Sequence, residues 1–199
     1  MTSDPGSKWH RRAFLAGGAA MIGAPALAQQ DSIGTIDIEE DVDKGVRRNI
    51  SAFRTLDWQP YFSSLDKGAI LVDIDSRAVH FWSEDESIYK LYPSSVPMTD
   101  DLTRRGRTRV VYKDDNPDWT PTPSMRERDP DLPAYVPPGP NNPLGTRALH
   151  LGWTYYRIHG TNAPRSIGRS VSNGCIRMLN AHVQDLYQRV PIGTTVTVL

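Results

Sequence analysis

Cysteine is almost absent from this chain: Cys175 is the single one in 199 residues. That excludes an intramolecular disulfide and a cysteine-built zinc site. Net charge is absent too, with 23 Lys plus Arg against 23 Asp plus Glu. A balanced chain lacks the basic face expected of a nucleic-acid binder and the polybasic tract of a membrane-surface protein. Beyond residue 28 no apolar run approaches the roughly 20 residues that span a bilayer. Neither H-E-x-x-H nor G-x-S-x-G occurs, so metalloprotease and serine-elbow chemistry have no anchor. With 15 Gly and 16 Pro the chain falls short of low-complexity composition, and one globular domain is expected.

Residues 1–28 read as an export signal. Lys8, Arg11 and Arg12 form a positive start, and Ala13 to Leu27 is small and apolar. Ala26-Leu27-Ala28 gives a small-x-small cleavage site after Ala28. Arg11-Arg12 followed by Ala13-Phe14-Leu15 resembles a twin-arginine signal, which predicts a mature protein in the periplasm or cell envelope. An ordinary signal with a chance arginine pair and an uncleaved anchor are the alternatives. Residues 29–66, with an acidic run from Asp37 to Asp43, read as a lead-in or linker.

Residues 67–199 read as a mainly β domain, sandwich-like or barrel-like. Ala69 to Ile74 is a short apolar run rich in β-branched residues. Ala78 to Trp82 returns after an Asp75-Ser76-Arg77 turn, and Ile88 to Tyr92 follows. Arg107 to Tyr112, Arg147 to Leu151, Trp153 to Ile158 and Thr195 to Leu199 are further strands. One clear helix is expected near the C-terminus. Asn180 offers an N-cap, Val183, Leu186, Tyr187 and Val190 recur at helical spacing, and Pro191 ends it. Residues 116–143 hold nine of the prolines, too many for a helix or central strand. Flanked by strands, this stretch reads as an ordered wall over a site, with Trp119 and Tyr135 as candidate substrate contacts. Both aromatics have an equally good reading as pins that hold the loop to the core.

Chemistry concentrates between Tyr155 and Met178. A buried structural cysteine normally sits in an apolar run. Cys175 instead follows Ser172-Asn173-Gly174 and precedes Ile176-Arg177. A thiol with polar neighbours and a glycine suits a nucleophile approached by a carbonyl, with backbone N–H donors close by. Such a thiol needs a base or a positive neighbour. Among the histidines His159 stands out, because it ends a strand and opens a loop that returns to Cys175. A strand-end imidazole facing a loop-borne thiol is a plausible catalytic pair. Arg177 could lower the thiol pKa or bind a substrate carboxylate. Papain-like enzymes place Cys before His, and caspases carry a signature absent here.

His159-Gly160-Thr161-Asn162, Ser166-Ile167-Gly168 and Ser172-Asn173-Gly174-Cys175-Ile176-Arg177-Met178 together resemble the L,D-transpeptidase (YkuD) catalytic motif. Thr120-Pro121-Thr122-Pro123, Asn141-Asn142-Pro143-Leu144-Gly145 and Gly193-Thr194 fit the same family, so the resemblance covers roughly residues 69–199. It implies a mostly β catalytic domain and peptidoglycan cross-linking. It implies Cys175 as the acylated nucleophile, His159 as the base, and Gly160 as the carbonyl that orients the imidazole. It also implies an oxyanion hole at the N–H groups around Gly174 and Cys175, with Ser172 as the motif hydroxyl. Arg177, Asn173 and Asn162 fall at substrate-side positions. Asn173 departs from the family, which commonly has histidine there. The resemblance implies no metal or organic cofactor. The implied partners are tetrapeptide donors and diamino-acid amine acceptors of peptidoglycan stems, and a monomer is expected. Water or a protein lysine as acceptor, and a non-catalytic wall-binding module, are the rival readings. A redox role has no second cysteine to support it.

Overall fold

A computed structural model describes residues 54–199 of the chain. The leader, its cleavage site and residues 29–53 of the lead-in lie outside the described residues. The described strands are β1 (Ala69–Asp73), β2 (Ala78–Trp82), β3 (Tyr89–Pro97), β4 (Gly106–Asp115) and β5 (Arg147–Leu151). They continue with β6 (Arg157–His159), β7 (Ser170–Ser172), β8 (Ile176–Met178) and β9 (Thr195–Val198). The helices are α1 (Pro123–Arg128) and α2 (Asn180–Arg189).

Hydrogen bonding runs in the order β2-β1-β9-β4-β5-β6-β8-β3, and β3 pairs back onto β2, which closes an eight-stranded barrel; β7 adds to β3 outside the ring. Most neighbours are antiparallel, but β1–β9 and β6–β8 are parallel. The β1–β2 turn is set by Asp73, whose Oδ1 accepts from the backbone N–H of Asp75 and Ser76, each at 3.0 Å.

Side chains alternate across the barrel wall. Ile70, Val72, Val79, Phe81, Leu149, Ile158, Ile176 and Val196 enter the main core cluster, joined by Val183, Leu186 and Val190 of α2. The other face of β1 feeds a second cluster. There Phe62 and Leu65 pack with Ala69, Leu71 and Trp82. The described end of the lead-in is therefore held on the barrel by aromatic and aliphatic burial rather than left as a solvated linker.

Several local expectations change. The expected strand from Trp153 to Ile158 begins only at Arg157, because Trp153 to Tyr155 form a turn with Tyr155 at φ +62°. Asn180 does not cap α2: Leu179 is the capping residue, without a side-chain cap bond, and Asn180 is the first helical residue. Its amide is used elsewhere, as the site shows. The proline-rich stretch does contain a helix, α1. Pro123 occupies its first turn, where a missing N–H costs nothing, and Thr122 Oγ1 accepts from Met125 N at 3.3 Å. The short strands β7 and β8 were not evident from periodicity, because three residues are too few to show it.

Prolines leave carbonyls without ladder partners, and Asn142 supplies the missing donors. It is completely buried. Its Nδ2 donates to the carbonyls of Pro117 (2.9 Å), Val136 (3.2 Å) and Pro137 (3.2 Å), and its Oδ1 accepts from Leu144 N (2.8 Å). A Trp119–Val136 bridge adds a backbone tie. Asn142→Leu removes the donor from the Pro117 and Pro137 carbonyls and the acceptor from Leu144 N, while Val136 O keeps its bond from Trp119 N; each buried group fully orphaned costs about 1–3 kcal/mol. The expected result is a lower urea midpoint and faster proteolytic nicking within residues 116–143. Unchanged nicking would contradict this role.

Candidate active site

The site is built on the wall between β6 and β8. These parallel strands pair Ile158 with Ile176 and His159 with Arg177. Ile158 and Ile176 point into the core, so His159 and Arg177 face the other way. One step back along the same register, Arg157 falls beside Cys175. On the opposite side β5 pairs His150 with Arg157 and Ala148 with His159. The outer face of the wall thus carries two rows across the strands: His150, Arg157 and Cys175, then Ala148, His159 and Arg177.

A cavity of about 760 Å³ covers this face. Cys175, His159, Ser172, Asn173, Gly174 and Arg177 line it. The proline-rich segment supplies another wall, including Trp119, Met125 and Val136. Of the sequence-derived candidates, Gly160, Asn162 and Tyr135 do not line the cavity. Gly160 lies behind the imidazole. Asn162 Nδ2 donates to Asn141 O at 2.9 Å, joining two loops. Tyr135 is exposed on the surface. Trp119 lines the cavity, and its backbone bridge to Val136 ties two parts of the proline-rich segment together.

His159 is buried, 4% exposed, and its Nδ1 lies 2.6 Å from the Gly160 carbonyl. That carbonyl can only accept, so Nδ1 carries the proton and Nε2 is left as a base. Burial lowers the His159 pKa to about 3, and Arg177 and Arg157 add to the shift. The Cys175 thiol moves the other way. Burial pushes it up, against the opposing pull of Arg157 and Arg177. Its Sγ donates to the Tyr155 carbonyl at 3.2 Å. Burial thus favours the neutral form of both groups.

Gly174 adopts φ +125°, a conformation side chains rarely take, while an added Cβ would meet nothing closer than the Leu102 carbonyl at 3.5 Å. Backbone conformation therefore requires this glycine more than space does. Ser172 Oγ ties the turn together: it donates to Cys175 O at 2.5 Å and accepts from Gly174 N at 3.4 Å. Arg177 Nη1 donates to Ser166 Oγ at 3.0 Å, which fixes its guanidinium. Asn173 is exposed, and Arg128 of α1 donates to its Oδ1 at 3.3 Å.

Two residues missed from sequence support this arrangement. Asn180 Oδ1 accepts from Thr161 N (3.0 Å) and Thr146 N (3.3 Å), and its Nδ2 donates to Thr161 O (2.9 Å). It thereby pins the segment after His159. An added Cβ at Gly145 or Gly160 would fall 2.2 Å from that oxygen, so both glycines admit the amide. Arg157 is the other. The period-2 alternation that puts it on the same face as His159 was its one visible signal. Among the described residues no group of three or more His, Cys, Asp or Glu is placed to hold a metal.

Similarity to known proteins gives the family. The family model for the L,D-transpeptidase catalytic domain matches residues 67–198. The chain is 42% identical over 195 residues to a putative L,D-transpeptidase of Fuscovulum blasticum, spanning 96% of this chain and 97% of that protein. It is 38% identical over 135 residues to the probable L,D-transpeptidase ErfK/SrfK of Escherichia coli K12, spanning 65% of this chain but 43% of that longer protein. Among solved structures, L,D-transpeptidase 3 of Mycobacterium tuberculosis superposes with a TM-score of 0.53 at 16% identity. That match covers 67% of this chain and 61% of that one. An L,D-transpeptidase from Xylanimonas cellulosilytica gives 0.52 at 18% identity, over 77% and 68% of the two chains. The chain belongs to the L,D-transpeptidase (YkuD) family.

A neutral thiol makes a testable statement about reactivity. Iodoacetamide labelling of Cys175 is expected to be slow at pH 6 and to rise through pH 8–9 without a low-pH plateau, because only the thiolate reacts. Rapid, pH-independent labelling between pH 5 and 7 would indicate a preformed thiolate–imidazolium pair instead.

Proposed function

We propose that this protein is an exported peptidoglycan L,D-transpeptidase that forms 3→3 cross-links through a Cys175 thioester. The observation that carries the reading is the shared cavity. It gathers a buried imidazole on β6, with its free nitrogen set by Gly160, and a single thiol and a glycine turn immediately before the paired strand β8.

In this mechanism His159 Nε2 takes the proton as Cys175 Sγ attacks the carbonyl of the third stem residue, an L-centre. Backbone N–H groups of the Gly174–Cys175 turn hold the developing oxyanion, a contribution typically worth on the order of 10²–10³ in rate per donor. The imidazolium is destabilised by burial and by two nearby arginines, so it gives its proton readily to the departing D-Ala amine. An amine from a neighbouring stem then attacks the thioester, His159 accepts its proton, and the thiol is regenerated. Arg177 and Asn173 face the substrate. Trp119 packs along it in the wall. The twin-arginine-like leader places the monomeric enzyme in the periplasm. No helix among the described residues is long and apolar enough to cross a membrane.

The test is a product mass spectrum from the purified protein and disaccharide-tetrapeptide. A dimer one D-Ala lighter than two substrates is expected. It should be absent with Cys175→Ala and reduced about 10²–10⁴-fold with His159→Ala. A tripeptide monomer alone would move the function to hydrolysis. Full activity in Cys175→Ala would overturn the reading.

A further inference from the structure

His150 and Arg157, which share a row with Cys175, take no direct part in the mechanism above. The geometry of that row is specific. Arg157 is half-buried, lines the cavity with Cys175, and lies next to it by strand register. Its Nε donates to His150 Nδ1 at 3.3 Å. A histidine nitrogen that accepts cannot carry a proton, so His150 holds its proton on Nε2. That nitrogen lies 3.6 Å from Asp114 Oδ2, and both side chains are about three-quarters buried, 26% and 23% exposed. Tyr112 stacks edge-on against the imidazole, with centroids 5.1 Å apart. The guanidinium is thus gripped at Nε from behind, and its two terminal nitrogens remain for the thiol side.

A desolvated sulfur needs a cation before it can hold charge. Arg177 is the alternative, but its Nη1 is committed to Ser166. The groups electrostatically coupled to the thiol are Arg157 and Tyr156 from the β5–β6 side and Arg177 from β8. Tyr156 keeps its proton, because burial pushes its phenol up to about 12. Of the two cations, Arg157 exerts the larger pull on the thiol, through both its charge and a hydrogen bond.

We propose that Arg157 is a further catalytic residue, whose guanidinium carries the negative charge of the Cys175 sulfur as it attacks, with His150 as the positioning residue that holds it there. This rests on Cys175 being the nucleophile. In the step itself the S–H bond breaks, the proton passes to His159 Nε2, and the sulfur electron pair forms the S–C bond. Arg157 stays protonated throughout. It is not consumed, and it returns to its resting contact when the thioester is resolved.

The experiment compares iodoacetamide labelling of Cys175 against pH in the full chain, beside transpeptidation kinetics. The variants are Arg157→Gln, Arg157→Lys, His150→Leu and His150→Gln. A cation close to a partly buried acid typically lowers its pKa by about 1–3 units. Arg157→Gln is therefore expected to slow labelling at pH 7.5 about tenfold or more, by moving the midpoint up. It should lower kcat by a similar factor while KM changes little. Arg157→Lys should recover most of both. His150→Leu should reproduce part of the loss, and His150→Gln, which keeps an acceptor for Nε, should restore it. An unmoved labelling midpoint in Arg157→Gln overturns the proposal. So does a loss confined to KM, which would make Arg157 a substrate-carboxylate ligand. The labelling arm needs no acyl substrate. A shifted midpoint without cross-linked product from the parent protein would uphold the arginine's role and count against the transpeptidase reading alone. Arg157→Lys and His150→Gln also guard against variants that merely fail to fold.

Discussion

The parallel pairing of β6 with β8 is the constraint on which the site depends. Each strand is three residues long, and their register aligns Ile158 with Ile176 and His159 with Arg177. Two buried isoleucines anchor the inner face. Burying a side chain of that size contributes roughly 1.5–3 kcal/mol. The polar residues between them are thereby forced onto the outer face in a fixed order. A slip of one residue would send His159 into the core and an isoleucine into the cavity. Barrel closure through β2 and β3 removes the freedom to slip, since β8 also pairs with β3 on its far side.

The same wall sets the electrostatics. Removing water from the face disfavours charge on both the imidazole and the thiol, and the arginines act on the two in opposite senses. They make an imidazolium worse and a thiolate better. A proton resting on sulfur, bonded to the Tyr155 carbonyl, is the low-energy arrangement. It also protects a lone thiol from oxidants, because they attack the thiolate. For pH and stability the signs follow directly. His159 titrates lower when folded than when unfolded, so the unfolded chain gains protons first and stability falls as pH drops below about 6.5. Cys175 titrates higher when folded, so stability falls again as pH rises past about 8.5.

Much of this was legible in the sequence, and the reasons differ by element. β1, β2 and β5 showed because each is a compact run bounded by turn residues. The Cys–His pair showed because a polar, glycine-flanked cysteine is out of place as packing. What did not show depends on tertiary context. Asn180 reads locally as a cap, and only the fold reveals that its amide serves Thr146 and Thr161 instead. α1 was obscured by the prolines around it, although Thr122-Pro123 is a competent helix start. Asn142 carries no periodic signal, yet three proline-segment carbonyls converge on it. Arg157 is separated from Cys175 by 18 positions, so only strand register brings them together.

Covalent acylation of Cys175 is the claim beneath all of this. The most direct measurement is peptide mapping of the full chain quenched within seconds of mixing with a disaccharide-tetrapeptide whose diamino-acid side-chain amine is acetylated, so that no acceptor is present. The account predicts that the peptide containing Cys175 gains the mass of the substrate less that of free D-Ala, and loses it again on addition of a diamino-acid amine. No adduct, or one on any other residue, while D-Ala is released would contradict it.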